Sequence, residues 1–300
     1  MQQDTVAEVV LLRQERGSPL GRAFVAVGRF MSRKPLGAFG AVVVTLLVLV
    51  SIFAPLLVPH DPLRIYRDFT YSPPSSTFLL GTDGLGRDVL SRIIYGSRIS
   101  LYVGLVSVAI GSSIGSVLGM VSAFYGGRVD LLIQRFIDSL MAFPGLILAM
   151  ALVAVLGPSI DNVVAAVATV LIPRSSRVIR SAALAIEGAE FIQAAKAIGC
   201  GDRRIIFRHI LPQCVAPYIV IATATIGWAI VLEATLTFLG VGIPPPTPSW
   251  GEMLAGEGRA SLTFAPWIAI VPGVALSMVA FGFNLLGDSL RDVLDPRLRR

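Results

Sequence analysis

The sequence predicts an all-α polytopic membrane protein with about six transmembrane helices. Of its 300 residues, 54% are apolar and 15% are charged, whereas soluble proteins carry roughly a quarter charged residues. The apolar residues are grouped in blocks of about 20, the length that a helix needs to cross a bilayer. The 29 glycines and 19 prolines fit the same class, because transmembrane helices contain both residues more often than soluble helices do. One transmembrane domain, without a large soluble one, is therefore expected.

Six apolar segments are predicted to cross the membrane. The first is closed by the helix-breaking run PHDP at 59–62. The fourth follows Asp161 and Asn162, is the weakest, and extends to Ile172 or onward to Ile179. An even number of spans places both termini on one side of the membrane. The predicted spans cover residues 36–58, 99–123, 136–156, 163–172, 215–239 and 267–286.

Lysine and arginine are distributed unevenly between the segments that join these spans. Residues 1–35 contain six of them and residues 174–212 contain seven, whereas 241–266 contains only Arg259. The segment 59–98 has five arginines, but four aspartates accompany them. Because basic residues are enriched in cytoplasmic loops, we expect both termini and 174–212 in the cytoplasm, and 59–98 and 241–266 outside.

The net charge of +6 does not indicate a nucleic-acid-binding protein. The basic residues are spread through the loops, a pattern that reflects membrane topology rather than a nucleic-acid footprint. The chain contains no G-x-x-x-x-G-K-[ST] motif, and the run GTDGLG at 81–86 is predicted to form turns rather than a phosphate-binding loop. No His, Cys, Asp or Glu group has metal-ligand spacing. We therefore expect no cofactor or metal on this chain.

The run Gly111-Ser-Ser-Ile-Gly115 matches the G-x-S-x-G pattern of serine hydrolases. That pattern needs a strand–turn–helix, but here it lies inside a predicted membrane helix, and His60 and His209 both fall outside the spans. With Gly119, the run places small residues at every fourth position, which favours close helix packing. Packing is the favoured interpretation, and an intramembrane serine hydrolase with Ser113 as nucleophile is the alternative of another class.

Glu233 is the one acidic residue inside the fifth predicted span. An ionisable residue at membrane depth costs free energy unless it faces a protein interior or a wet path. Two interpretations follow from its position: a place on the translocation path, or a structural hydrogen bond to a neighbouring helix.

The segment 193–212 (QAAKAIGCGDRRIIFRHILP) is basic and lies between two apolar blocks. Helix-forming residues over 191–198 are followed by a stop at Gly199, and a second, basic amphipathic helix is predicted over 202–210, ended by Pro212. From the residues alone, this is either a cytoplasmic docking element or a helix pair lying on the membrane surface.

This segment resembles the EAA loop of ATP-binding-cassette importer permeases. The family pattern is E-A-A, three residues, Gly, nine residues, Ile, any residue and Leu-Pro. Gln193-Ala194-Ala195, Gly199 and Leu211-Pro212 stand at the matching spacings. Two positions depart from the pattern, since Gln193 replaces the glutamate and His209 occupies the isoleucine position. Glu190, one turn earlier, is the candidate to supply the missing carboxylate.

Further blocks resemble the C-type inner-membrane subunit of dipeptide/oligopeptide (nickel) importers. The likeness covers about residues 20–300, with four separate blocks in the family's order. The blocks are LGTDGLGRDVLSRIIYGSRISL (80–101), AFPGLILAMALVAVLGPSI (142–160), TFLGVGIPPPTPSWGEML (237–254) and FNLLGDSLRDVLDPRLRR (283–300).

The resemblance implies a type I ABC importer permease fold in a bacterial inner membrane, and a transport subunit rather than an enzyme. The cytoplasmic segment 1–35 would contain an elbow helix over 20–34. The transmembrane permease domain would cover 36–290, with the coupling loop at about 180–212, and 291–300 would be a cytoplasmic tail.

The resemblance also implies the partners. These are a B-type permease subunit, two cytoplasmic ATPases that bind ATP and Mg²⁺, an extracytoplasmic solute-binding protein received by 59–98 and 241–266, and membrane lipid, without nucleic acid. In this family the EAA loop forms a coupling helix that sits in a cleft of the ATPase. The expected ATPase-docking residues are Gln193, Ala194, Ala195, Gly199, Arg203, Arg204, Leu211 and Pro212.

The substrate stays open between several solutes. The same subunit type serves peptide, nickel, glutathione and some sugar uptake systems, and the solute-binding protein usually makes the first selection. A dipeptide or oligopeptide is the favoured substrate.

Overall fold

The computed structural model describes residues 34–294, which form helices joined by loops. Five helices are long and apolar enough to cross a membrane, and a bent pair of shorter helices makes a sixth span if its two parts are counted as one. The predicted fold class is confirmed. The predicted elbow helix lies, apart from Lys34, outside the described residues, as does 295–300. The α-helices are α1 Pro35–Leu57, α2 Val89–Tyr125, α3 Gly127–Met141, α4 Gly145–Leu156, α5 Ile160–Glu187, α6 Glu190–Ala197, α7 Asp202–Ile205, α8 Leu211–Phe238, α9 Trp250–Leu254, α10 Glu257–Ala260 and α11 Trp267–Leu294.

The third predicted span, 136–156, is broken. It is divided between α3 and α4, which are bent by 88° relative to each other. Pro144 disfavours helical backbone at the residue before it and has no N–H to donate, so α3 ends at Met141 and α4 begins at Gly145. The chain therefore turns sharply at a point where composition predicts a continuous apolar block.

The second and fourth spans are longer than predicted. Helix α2 begins at Val89 because Asp88 caps it, accepting a hydrogen bond from the Ser91 N–H at 3.0 Å. Helix α5 begins after Ser159, whose hydroxyl accepts from the Asn162 N–H at 3.2 Å, and it continues to Glu187. Both extensions are more polar than the apolar blocks and are therefore missed by a hydropathy criterion.

Helices α2 and α5 are packed backbone against backbone. A Cβ atom added at Gly111, Gly115 or Gly119 would overlap a carbonyl oxygen of α5, that of Ala168, Ile172 or Ser176 respectively. Only glycine leaves this space free. The G-x-S-x-G run is therefore a helix-packing feature, as its four-residue spacing predicts.

Within residues 34–294, three clusters of buried apolar side chains hold the helices together. The largest joins α1, α2, α4, α5, α8, α9 and α11 in the middle of the subunit. The smallest, formed by Val89, Met253, Ala265 and Ile268, packs the start of α2 against α9 and the start of α11. The third, here called the coupling-end cluster, joins the ends of α2 and α5 to the segment that contains α6 and α7. Its buried members are Met120, Ala123, Ile179, Ala183, Ile192, Ala195, Ile205, Ile206, Ile210 and Cys214.

We predict that Gly115→Ala separates α2 from α5. The new methyl group would overlap the Ile172 carbonyl, and overpacking of this kind costs about 1–3 kcal/mol. The measurement is the melting temperature of the detergent-purified complex. Gly188→Ala is the matched control, because a Cβ atom at Gly188 meets nothing within 4 Å. Equal melting temperatures for the two variants would contradict the packing described here.

Candidate functional site

The segment 188–212, called the coupling segment, folds as a helix–turn–helix at the end of α5. Helix α6 ends in a Schellman motif, in which the Gly199 N–H donates to the Lys196 carbonyl and the Cys200 N–H to the Ala195 carbonyl, both at 3.0 Å. Gly199 has the positive φ of +78° that this motif requires. The stop predicted at Gly199 is confirmed, and the chain reverses there into α7.

The second predicted helix of this segment does not end at Pro212. Helix α7 continues through the π-helical turn Ile206–Ile210 directly into α8. The Leu211 N–H donates to the Ile206 carbonyl, five residues earlier, so the wider turn absorbs the hydrogen bond that Pro212 cannot make. The prediction that Pro212 ends the helix is wrong, and the coupling segment is joined rigidly to a transmembrane helix.

The coupling segment has one face inside the subunit and one face outside it. Ile192 is fully buried and Ala195 is 6% exposed in the coupling-end cluster. Phe191, Ala194 and Ile198 follow the spacing i, i+3 and i+7, which places them on one stripe of α6. All three are exposed, Ile198 to 81%.

Ala195 is therefore placed differently from the prediction. Its methyl group packs inside this subunit and is not presented to a partner. The other predicted docking residues, Gln193, Ala194, Gly199, Arg203, Arg204, Leu211 and Pro212, are exposed. Sequence reasoning did not single out Ile198 or Phe207, which is 65% exposed, because apolar residues in an apolar chain carry no distinguishing signal.

Gln193 and Glu190 lie one turn apart at the start of α6, and both are exposed. The Gln193 side-chain amide donates to the Glu187 carbonyl at 3.4 Å. The carboxylate of Glu187 pairs instead with Lys196, at 2.6 Å. The replacement of the family's glutamate by either residue stays a prediction.

At the opposite end of the helices, a network of charged side chains joins the end of segment 59–88 and the first turn of α2 to segment 240–266. Arg92, which is 1% exposed, contacts Glu252, and its Nε lies 3.6 Å from the carboxylate of Asp83. Arg87 Nε lies 2.6 Å from the same carboxylate. A cavity of about 360 Å³ opens beside these four residues. The two arginines and the two carboxylates neutralise each other. Because the arginines contact Asp83 on one side and Glu252 on the other, the network fixes the two segments to each other.

These features, a bundle with a broken span and a helix–turn–helix at one end, match known proteins. A family described as "Binding-protein-dependent transport system inner membrane component" matches residues 115–300, and the N-terminal domain of oligopeptide transport permease C matches residues 25–74. The chain belongs to the family of binding-protein-dependent transport permeases.

Relatives of this permease are similar over nearly their whole length. It is 42% identical to a dipeptide transport system permease protein, DppC, of Alkalihalophilus pseudofirmus, over 94% of this chain and 91% of the relative. It is 43% identical to a di/tripeptide permease protein of Pseudomonas aeruginosa, over 88% and 89%. It is 42% identical to a glutathione permease protein, GsiD, of Pectobacterium atrosepticum, over 90% of each chain.

The fold of the permease is also found among solved structures. A chain of the MetNI methionine ABC transporter, in an inward-facing conformation, superposes with a TM-score of 0.55 and 15% identity. The match covers 68% of this chain and 96% of that one. The permease is thus an ABC importer subunit with multiple membrane spans. It is a transport subunit and not an enzyme.

The hydrolase alternative has no support in the permease. The Ser113 hydroxyl lies 3.0 Å from the Tyr218 hydroxyl. The two histidines contact other groups, since His60 lies beside Asp88 and His209 beside Phe191. A serine without a base beside it is not activated as a nucleophile.

Glu233 lies inside the permease and is 0% exposed. The Ser100 hydroxyl donates to its carboxylate at 3.3 Å, and the Thr237 hydroxyl does so at 3.1 Å. Helix α2 is therefore linked to α8 through this side chain. The geometry fits the structural interpretation, and the place of Glu233 on a translocation path stays a prediction.

We predict that Glu233→Gln keeps both stability and uptake near wild type, because an amide can exchange hydrogen bonds with both hydroxyls. Glu233→Leu should lower the stability by about 1–3 kcal/mol, since the buried Ser100 hydroxyl loses its acceptor and the Thr237 hydroxyl keeps only the hydrogen bond from the Ile243 N–H. Thermal unfolding and uptake in proteoliposomes measure the two effects. Loss of uptake in Glu233→Gln at unchanged stability would instead place Glu233 on the path.

Proposed function

We propose that this chain is the C-type permease subunit of a bacterial peptide importer. The support is its similarity over about nine-tenths of its length to proteins named as dipeptide and di/tripeptide permeases. A protein named as a glutathione permease is similar to this chain to the same degree, at 42% identity, and glutathione is itself a tripeptide derivative. A small peptide with a free carboxylate is therefore the common substrate class.

The proposed complex contains this chain, a B-type permease subunit, two ATPases that bind ATP and Mg²⁺, and a solute-binding protein. The coupling segment is the ATPase-docking element, and it faces the cytoplasm together with both termini. Its exposed stripe of Phe191, Ala194 and Ile198 supports docking, because apolar side chains exposed at a helix–turn–helix mark an interaction surface. Segments 59–88 and 240–266 face outward and receive the solute-binding protein.

The docking stripe can be tested with two adjacent alanines. Ala194→Glu places a charge on the exposed stripe, and we expect it to lower ATPase co-purification and uptake at least about tenfold while the subunit remains folded. Ala195→Glu buries a charge in the coupling-end cluster, so it should unfold that end of the subunit itself. Arg203→Ala is the control, because a single exposed arginine contributes little. Wild-type assembly and uptake in Ala194→Glu would contradict the docking surface.

The substrate class is tested on the partner that selects it. The solute-binding protein encoded with this permease should bind dipeptides and tripeptides in a calorimetric screen, more tightly than nickel chelates. The reconstituted complex should then import the same peptides in an ATP-dependent manner. Binding of glutathione or a nickel chelate alone would replace peptide as the substrate and leave the permease assignment intact.

A further inference from the structure

Three arginines stand three residues apart on α5, and only two of them have acidic partners within residues 34–294. Arg177 lies 2.8 Å from Asp138, and Arg180 lies 2.6 Å from Asp130, so α3 neutralises both. Arg174 is exposed, and no hydrogen bond or ion pair reaches it within the same range.

Arg174 also lies in the middle of a transmembrane helix. It is fourteen residues from the first residue of α5 and thirteen from the last. At about 1.5 Å per residue, either distance is roughly 20 Å, which places the guanidinium well away from both helix ends. Helix α5 is about 42 Å long and therefore exceeds the hydrocarbon core of about 30 Å, so Arg174 lies toward the arginine-rich end of the span rather than at its centre. A charged group that is still within the span faces a bundle interior, a wet path or a counter-ion rather than lipid.

The surroundings of Arg174 form a cavity at the break between α3 and α4. Its volume is about 210 Å³, and it is lined by Met141, Phe143, Gly145 and Trp228 together with Arg174. Helix α4 begins at this cavity, and no side chain caps its first turn. The cavity thus combines the Arg174 guanidinium and the first turn of α4 with the aromatic side chains of Phe143 and Trp228 and the thioether of Met141.

These features point to one kind of ligand. The guanidinium forms bidentate hydrogen bonds with carboxylates, and in transporters the starts of interrupted helices face anionic substrate groups. The aromatic and methionine side chains suit an apolar side chain of the same molecule. The volume is smaller than the roughly 300–1,000 Å³ of a typical small-molecule pocket, so the cavity would hold one end of a peptide rather than the whole molecule.

We infer that this cavity is a substrate-binding site on the translocation path, in which Arg174 binds the carboxylate of the transported peptide. The inference rests on the proposed function, because it takes a peptide as the solute. Arg180 has a different role, since its two contacts with Asp130 hold α3 against α5, whereas the half-exposed pair of Arg177 and Asp138 contributes little.

The first arm of the test measures uptake by the reconstituted complex with Arg174→Gln, Arg174→Lys and Arg177→Gln. Arg174→Gln should lower peptide uptake about tenfold or more, because it removes a charge-assisted contact. Arg174→Lys should recover only part of it, because it restores the charge but not the bidentate geometry. Arg177→Gln should stay within about twofold of wild type, since its ion pair is half exposed. Wild-type uptake in Arg174→Gln would overturn the inference.

The second arm identifies the occupant of the cavity. Phe143, which is 57% exposed, is replaced by the photocrosslinking residue p-benzoylphenylalanine, and the complex is illuminated during uptake of tritium-labelled alanylphenylalanine. We expect a tritiated adduct on this subunit that disappears in the Arg174→Gln background. Adducts with only the partner permease or only phospholipid, in a complex that imports the dipeptide, would overturn the site, as would a peptide adduct that persists without Arg174. A wild-type complex that imports no peptide would instead refute the proposed function, and this inference with it.

Discussion

The close contact between α2 and α5 is the constraint on which the rest of the subunit depends. Three glycines of α2 allow the carbonyl oxygens of α5 to approach where no Cβ atom fits. In a membrane, where apolar side chains gain little by leaving lipid, such contacts are a main source of helix association. The pair positions everything attached to α5: the coupling segment at its end, and the three arginines along its second half.

Charged side chains then fix the elements that the apolar contacts leave free. Asp130, which contacts the Arg180 guanidinium twice, holds α3, the helix before the sharp bend, to α5. At the opposite end, Arg92 of α2 contacts Glu252 of the short helix α9, and Asp83 in the loop before α2 lies beside the same arginine. The buried pair costs desolvation, but its geometry is specific. Ion pairs therefore act where helix packing ends.

Much of this arrangement could be predicted from the sequence, and the exceptions have physical causes. Apolar blocks and glycine spacing predict the spans and the α2–α5 contact because both depend on composition along one helix. The burial of Ala195 could not be predicted, since which side of α6 faces inward depends on Ile192 and on neighbours distant in the sequence. The lack of an acidic partner at Arg174 likewise depends on where α3 stops. The break itself is signalled by Pro144, but a proline within an apolar block does not reveal the angle.

The burial of one side of α6 explains how a docking element could transmit a movement. A helix that only lay on the membrane surface would tilt when a partner pulled on it. Here Ile192 and Ala195 are held in the same cluster as Ile179 of α5 and Ile210, which leads into α8 without a break. A displacement of the exposed stripe must therefore move α5 and α8 together, because a close-packed interior resists compression. Both helices line the cavity at the α3–α4 break, α5 through Arg174 and α8 through Trp228. A movement of the coupling segment that displaces these helices therefore also changes the shape of that cavity.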